Sequence, residues 1–158
     1  MKHTIRIILV TLVLALFSSA VAAKNLPAGG MTIDEVAKWL QDEGYKAQFY
    51  PLKDGGRAVA SGADGYTWKI YMYDCNTEGR CGSLQFSMGL DTKGAFDTDK
   101  MNEWSKKNRW ARAYIDSVND PWLEYDVDLT PGGTYELLND EFATWRSTVK
   151  RFHSFLGV

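Results

Sequence analysis

Histidine is scarce in this sequence, and that scarcity restricts the chemistry available to it. Of the two histidines, His3 lies in the N-terminal segment and His153 lies near the C-terminus. A zinc site needs about four ligands, which His153 and two distant cysteines do not supply. Nucleophilic hydrolysis needs a base beside the nucleophile, and no partner pattern surrounds His153, which we expect to be a solvent-exposed helix residue. We therefore predict no metal site, no catalytic residue and no enzymatic activity.

The sequence also lacks an apolar run long enough to span a membrane. The N-terminal run Ile7–Phe17 has 11 residues, whereas a membrane-spanning helix needs about 20. A basic start precedes this run, and small residues follow it up to Ala22 and Ala23, which is the pattern of a secretory signal peptide. We expect residues 1–23 to be a signal peptide cleaved after Ala22 or Ala23, without a membrane anchor afterwards. The protein is therefore predicted to be periplasmic or secreted.

An excess of positive charge is absent as well. Without Lys2 and Arg6, the chain carries 16 basic and 20 acidic residues, a net charge of −4 with histidine neutral. A nucleic-acid-binding domain shows a clustered basic surface instead, so nucleic acid is excluded as a partner. The glycine pairs at 29–30, 55–56 and 132–133 are typical of turns and do not match a phosphate-binding loop. No cofactor is predicted.

The only two cysteines lie close together in the part of the chain that we expect to be exported. Five residues separate Cys75 from Cys81. In an oxidising compartment such a pair is most simply a disulfide, and a redox-active pair or a metal site is the alternative. We predict a Cys75–Cys81 disulfide that closes a short loop.

The segments on either side of the cysteines alternate between apolar and polar residues, as β-strands do. A hairpin with Cys75 opposite Cys81 places all the large apolar residues of both strands on one face. These residues are Trp68, Ile70, Met72, Leu84, Phe86 and Met88. The sequence therefore predicts both the hairpin and its register.

A second hairpin is predicted from Arg109–Asp116 and Pro121–Leu129. Pairing Ala113 with Tyr125 places their apolar neighbours on one face and brings Arg112 opposite Asp126. Aromatic residues and arginine are the usual anchors of protein interfaces, so we predict that the other face is an interaction surface, with the Tyr71/Tyr73 face as an alternative. Its candidate residues are Trp110, Arg112, Tyr114, Trp122, Glu124, Asp126 and Asp128.

The acidic row in this hairpin suggests two other uses. Glu124, Asp126 and Asp128 have oxygen ligands of the kind that Ca²⁺ takes. Alternate residues of a strand are about 7 Å apart, however, which is too wide for one ion without loop ligands. We therefore expect a solvated acidic face that Arg112 balances. The remaining alternative is a cell-envelope enzyme or ligand-binding protein that uses this acidic and aromatic face, for example on a glycan.

Helices flank the predicted strands. Thr32 and Glu35 have the spacing of a capping box at the start of one helix. A long last helix is predicted after Thr134, because its apolar residues recur at alternating spacings of three and four. The predicted fold class is α+β, with an antiparallel sheet, helices on one side and the order α-β-β-β-α-β-β-α.

The second hairpin and its flanks also resemble a known family. Asn108–Asp116, Asp120–Leu129 and Gly132–Thr134 resemble the signature of the YbjN-type family of bacterial sensory transduction regulators. Trp104 and Trp145 fall where such sequences carry a tryptophan. The resemblance covers almost all of the chain that follows the predicted signal peptide.

This resemblance implies a type III secretion chaperone-like fold and no established catalytic activity. It implies a chaperone-like module that binds an unknown protein or peptide, and it leaves a homodimer open, because chaperones of this fold often dimerise. Many relatives are cytoplasmic, so their regulatory role is not carried over to a chain predicted to be exported. We expect a flexible leader at residues 24–31 and one YbjN-like domain at 32–158.

Overall fold

A computed structural model describes residues 23–158 of the protein. The predicted signal peptide, apart from Ala23, lies outside the described residues. The elements follow one another as α1 (Ile33–Asp42), β1 (Gln48–Pro51), β2 (Arg57–Ala63), β3 (Tyr66–Cys75), β4 (Cys81–Gly89), α2 (Thr98–Lys107), β5 (Arg112–Ile115), β6 (Pro121–Asp128) and α3 (Tyr135–Leu156).

The strands form one antiparallel sheet with the order β1-β2-β3-β4-β6-β5. The predicted α+β class, with helices on one side of an antiparallel sheet, is confirmed. Four strands precede α2, one more than in the predicted order. Among the described residues, no helix has the length and apolarity needed to cross a membrane.

Local signals place the helix starts where the sequence predicts them. The Thr32 side chain accepts from the Glu35 backbone N–H, and the Glu35 carboxylate accepts from the Thr32 N–H, which completes the capping box. The Thr134 side chain caps α3 by accepting from the Leu137 N–H, without the second bond of a capping box. Each cap satisfies backbone donors that the first helical turn would leave unpaired.

The core lies between the sheet and the helices. The rings of Phe86 and Trp145 stack at a centroid distance of 5.6 Å, and Trp68 meets Trp145 edge-on at 6.2 Å. α2 closes one end of this core through Trp104, whose ring is 5.0 Å from that of Phe152. Burial of each large apolar side chain stabilises the fold by about 2–3 kcal/mol, so this cluster holds α3 against the sheet.

The first hairpin has the predicted register. Ile70 lies opposite Phe86, and Cys75 lies opposite Cys81, with the two cysteines joined in a disulfide. Because Ile70 and Phe86 are completely buried, a slip of one residue would turn both apolar rows toward water. The apolar pattern and the disulfide therefore fix the same register.

Residues 24–31 are part of the folded domain, so the prediction of a flexible leader is wrong. The Leu26 N–H donates to the Gly133 carbonyl over 2.8 Å, and Met31 pairs with Cys81 in an isolated β-bridge. The side chains of Leu26 and Met31 are buried in the core. Gly30 permits this docking, because a Cβ there would lie 1.9 Å from the Cys81 carbonyl oxygen. Burial of the two apolar side chains offsets the entropy lost on ordering the segment.

Candidate interaction surface on the open sheet face

One face of the sheet carries no helix, and its side chains form the candidate surface. Strand registers place the same-face residues in rows, such as Lys69, Ser87, Glu124 and Arg112 across β3, β4, β6 and β5. We call this surface the open face. Its residues are Lys69, Tyr71, Tyr73, Ser83, Gln85, Ser87, Arg112, Tyr114, Trp122, Glu124, Asp126 and Asp128.

The register of the second hairpin differs from the prediction by two residues. Ala113 pairs with Leu123, and Arg112 therefore lies opposite Glu124, so the predicted pairing with Asp126 is wrong. The cause is the turn, in which the Asp116 carboxylate accepts from the backbone N–H groups of Val118 and Asp120, each over 3.0 Å. A shift of two residues keeps every side chain on its predicted face.

Trp110 does not belong to the open face, which corrects the predicted surface. Ala111 has a φ of 64°, and this left-handed residue breaks the strand alternation just before β5. The Trp110 ring instead lies 6.4 Å from that of Tyr125, a residue of the core-facing row of β6, and the Arg109 guanidinium lies over it at 5.0 Å. Trp110 remains 42% exposed, but it is separated from Arg112 and Tyr114.

Glu124 is the centre of the open face. Its carboxylate accepts hydrogen bonds from the Arg112 guanidinium, from the Tyr114 hydroxyl over 3.0 Å and from the Ser87 hydroxyl over 3.4 Å. Only 12% of the Glu124 side chain is exposed, although no helix covers it. Burial, followed by the hydrogen bond to Glu124, raises the pKa of Tyr114 to about 12. The Glu124 carboxylate therefore holds Arg112 by an ion pair and Tyr114 by a hydrogen bond.

A second chain of hydrogen bonds crosses the next row. The Tyr73 hydroxyl donates to the Gln85 side chain over 3.4 Å, and the Gln85 amide donates to Asp126 over 2.8 Å. Burial and the carboxylates of Glu124 and Asp126 raise the pKa of Tyr73. Asp126 and Asp128 are exposed, and within residues 23–158 no three metal-ligating side chains come together.

Sequence reasoning missed the part that β4 plays in this surface. Gln85 and Ser87 are only 7% and 4% exposed, and they join the aromatic side of the face to its acidic side. The sequence feature that could have identified them is the polar half of the β4 alternation. Ser83, Gln85 and Ser87 occupy every second position there. Only the pairing of β4 with β6 shows that these residues touch Glu124 and Asp126.

Trp122 forms the end of the open face. A Cβ at Gly89 would lie 2.6–2.9 Å from three atoms of the Trp122 indole, so the ring packs directly on the Gly89 backbone. The indole N–H donates to Asp116 over 3.0 Å, and the Tyr114 ring lies nearly parallel to it at 6.4 Å. Hydrogen bonds from the Asp120 backbone and the Trp122 indole lower the pKa of Asp116. Trp122 is thus held by both neighbouring strands.

His153 differs from its predicted solvent-exposed state. It is half-buried on α3, and its ring lies 4.3 Å from that of Tyr66. Burial lowers its pKa, which favours the neutral imidazole. It lies on the helix side of the sheet and takes no part in the open face.

One protein family matches almost all of the described chain. No curated protein matches the chain. A family model described as "putative bacterial sensory transduction regulator" matches residues 32–157, which include every strand and every helix of the described structure. That description names a regulator and no catalytic activity. The match confirms the resemblance of the second hairpin and its flanks, and the chain belongs to the YbjN family.

Proposed function

We propose that the protein is an exported, non-catalytic member of its family that binds a protein or peptide partner through the open face. The observation that carries this proposal is the burial of Glu124 beneath Arg112 and Tyr114 on a face that no helix covers. Interfaces are anchored by aromatic residues and arginine, and binding is tighter when such anchors are held in place beforehand.

The packing of the open face supports binding over a merely solvated role. Gln85 and Ser87 are as buried as core residues, and each takes part in one of two neighbouring hydrogen-bonded clusters, Ser87 in that of Glu124 and Gln85 in that of Asp126. Clusters of this kind give a partner a surface with little side-chain entropy left to lose. Asp126 and Asp128 remain exposed at its border, where charges steer association and select partners.

The proposed location is the periplasm or the outside of the cell. Two features support it: the signal-peptide pattern of residues 1–23 and the Cys75–Cys81 disulfide. Disulfides persist in oxidising compartments and are rare in the cytosol. A role in cytoplasmic signalling is therefore not part of this proposal.

Site-specific photo-crosslinking in living cells tests the proposal. A photoreactive phenylalanine replaces Tyr73, which is 46% exposed on the open face. The matched control replaces Leu137, which is 48% exposed on α3. We expect a discrete adduct at position 73, absent at 137, whose mass and sequence identify the partner. An adduct of twice the chain mass would identify a homodimer.

A variant that lacks both anchors shows which result would contradict the proposal. The double variant Arg112→Ala with Tyr114→Ala removes both anchors, and near-UV circular dichroism reports whether the fold survives. The proposal fails if a folded variant keeps the adduct, or if positions 73 and 137 give the same products. Binding of soluble oligosaccharides at Trp122 without any protein adduct would support the glycan alternative instead.

A further inference from the structure

Strand β2 is longer than the strand that covers its outer edge. β1 pairs with residues 57–60 of β2, from Pro51 opposite Arg57 to Gln48 opposite Ala60. β2 continues to Ala63, and its other side stays paired with β3 to the end. Across the described part of the chain, no backbone hydrogen bond reaches the outer side of residues 61–63. The two-residue turn after Ala63 pairs it with Tyr66, so the backbone groups of Ser61 and Ala63 point to β3 and those of Gly62 point outward. Ser61–Ala63 therefore form a short free edge whose unpaired backbone groups belong to Gly62.

The free edge exists because the chain before β1 is held elsewhere. The Tyr45 ring packs edge-on against Phe142 of α3 at 4.8 Å, and the Tyr45 N–H donates to the Leu40 carbonyl over 2.8 Å. These contacts hold residues 44–46 on the helix side, so they do not extend β1 along β2. A gap therefore separates residues 44–46 from residues 61–63 of β2.

A large cavity lies in this gap. Its volume is about 930 Å³, at the upper end of the range for ligand pockets, roughly 300–1,000 Å³. Residues 44–46 line one side and residues 60–66 the other, and the cavity continues over the open face to Lys69, Ser87 and Trp122. The free backbone of Ser61–Ala63 therefore lies in a concave site.

The other two sheet edges are protected. The outer edge of β1 is four residues long and ends in Pro51, which has no N–H to donate. The β5 edge follows the left-handed Ala111 and lies beside α2. Short length, proline, irregular backbone and a covering helix are the usual ways of blocking edge pairing. The edge of Ser61–Ala63 is also short, but it contains no proline and no left-handed residue.

We propose that an extended peptide segment of the partner adds to the sheet as a strand on the free edge of Ser61–Ala63, in line with β1. Backbone N–H and C=O groups need hydrogen-bond partners, and strand addition to a free edge is an established mode of peptide recognition. This inference rests on the proposed peptide-binding function and specifies where and how the peptide binds.

Lys69 favours an acidic side chain on the part of the peptide that lies next to it. Asp91 is paired with Lys93, and Asp116 accepts hydrogen bonds from its own turn. Asp120 accepts from the backbone N–H and the hydroxyl of Thr92. Asp64 lines the cavity at the turn beyond Ala63. Lys69 lies beside the free edge, opposite Ala60, and it contacts the Tyr50 ring at 3.7 Å without a carboxylate partner in the described structure. Gly62 has no side chain to block an approach to it. A glutamate or aspartate of the peptide would pair with Lys69.

Peptide selection followed by NMR tests the inference. A random decapeptide library displayed on phage is selected against the purified protein, and enriched peptides are synthesised. We expect the outward-pointing amide of Gly62 to exchange rapidly with solvent in the free protein and to become protected in the complex. N-methylation of the peptide amide that faces the Gly62 carbonyl should weaken binding about tenfold, and methylation of the amides on either side of it should not.

Charge reversal tests the predicted acidic contact. Lys69→Glu should weaken binding of the selected acidic peptides about tenfold, as expected for a lost charge-assisted hydrogen bond. The matched control Lys106→Glu on α2 should leave binding unchanged. No enrichment, or binding that is indifferent to N-methylation and leaves the Gly62 amide unprotected, overturns the inference.

The two proposals fail separately. Peptides that perturb Tyr73 and Trp122 but not residues 61–63 would refute the edge and keep the open face as the binding surface. Peptides that protect the free edge, combined with no crosslinked adduct from position 73, would refute the open face and keep the edge.

Discussion

The guanidinium of Arg80 donates to both carboxylate oxygens of Glu35, over 2.9 and 3.1 Å. Arg80 lies in the loop closed by the disulfide, and Glu35 completes the capping box of α1. The same guanidinium donates to the Gly30 carbonyl over 3.0 Å. One side chain thus connects the first hairpin, the N-terminal segment and the first helix.

Arg80→Ala should destabilise the protein more than the loss of an ordinary surface ion pair does, because its guanidinium makes three charge-assisted hydrogen bonds to two different segments. Urea denaturation measures the change. Arg57→Ala is the control, since Arg57 pairs with Asp34 at the surface, and a surface pair contributes below about 1 kcal/mol. Equal effects of the two substitutions would show that the Arg80 contacts stabilise the protein no more than a surface ion pair does.

Stability should depend on pH through Glu35. The hydrogen bonds from Arg80 hold the pKa of Glu35 below its ordinary value, which is about 4.3 in the unfolded chain. A lowered folded-state pKa adds stability above the unfolded value, and this stability is lost as the pH falls through the folded value. NMR titration of the Glu35 carboxylate should show a higher pKa in Arg80→Ala. An unchanged pKa would mean that the pair does not persist in solution.

Removal of the disulfide should leave the register of the first hairpin intact. The double substitution Cys75→Ser with Cys81→Ser opens a loop of five residues, which we expect to destabilise the protein by about 2 kcal/mol. The buried residues opposite each other in β3 and β4 should still select the same pairing. Cross-strand nuclear Overhauser contacts between Ile70 and Phe86 check this, and their loss would show that the disulfide sets the register.

Gly89→Ala should displace the Trp122 indole. The added methyl group would lie within 3 Å of the ring, so the ring must move and its hydrogen bond to Asp116 must break. We expect a loss of about 1–2 kcal/mol from this overpacking and a shift of the Trp122 indole N–H resonance. Ser83→Ala on the same strand is the control. An unmoved indole resonance would contradict the packing described here.

Glu124→Gln should lower the pKa of Tyr114 from about 12 toward the usual tyrosine value of about 10. The raised pKa stabilises the folded protein below about pH 10, and this contribution is lost as the pH rises through the folded value. Titration of the tyrosine absorbance in Tyr114→Phe and Glu124→Gln variants isolates the effect. Asp126→Asn is the control, because its contact is with Gln85. A Tyr114 pKa that does not respond would place the hydroxyl away from Glu124.

The two hairpins show how far pattern alone can specify a register. In the first hairpin, the buried apolar rows and the two cysteines require the same pairing, so the sequence was sufficient to predict the register. In the second, registers that differ by two residues expose the same faces. The choice between them depends on how the Asp116 carboxylate closes the turn, a contact that apolar spacing does not encode.

The sequence by itself determined the helix caps, the strand faces, the pairing of Cys75 with Cys81 and the family, because these follow from local spacing and residue type. Only the tertiary structure decided that Arg112 pairs with Glu124 and that Trp110 leaves the surface. It also decided that the edge of Ser61–Ala63 stays free. Each of these depends on a turn closure, a left-handed residue or a distant anchor such as Tyr45 on Phe142, which act through three-dimensional packing and not through neighbours in the chain.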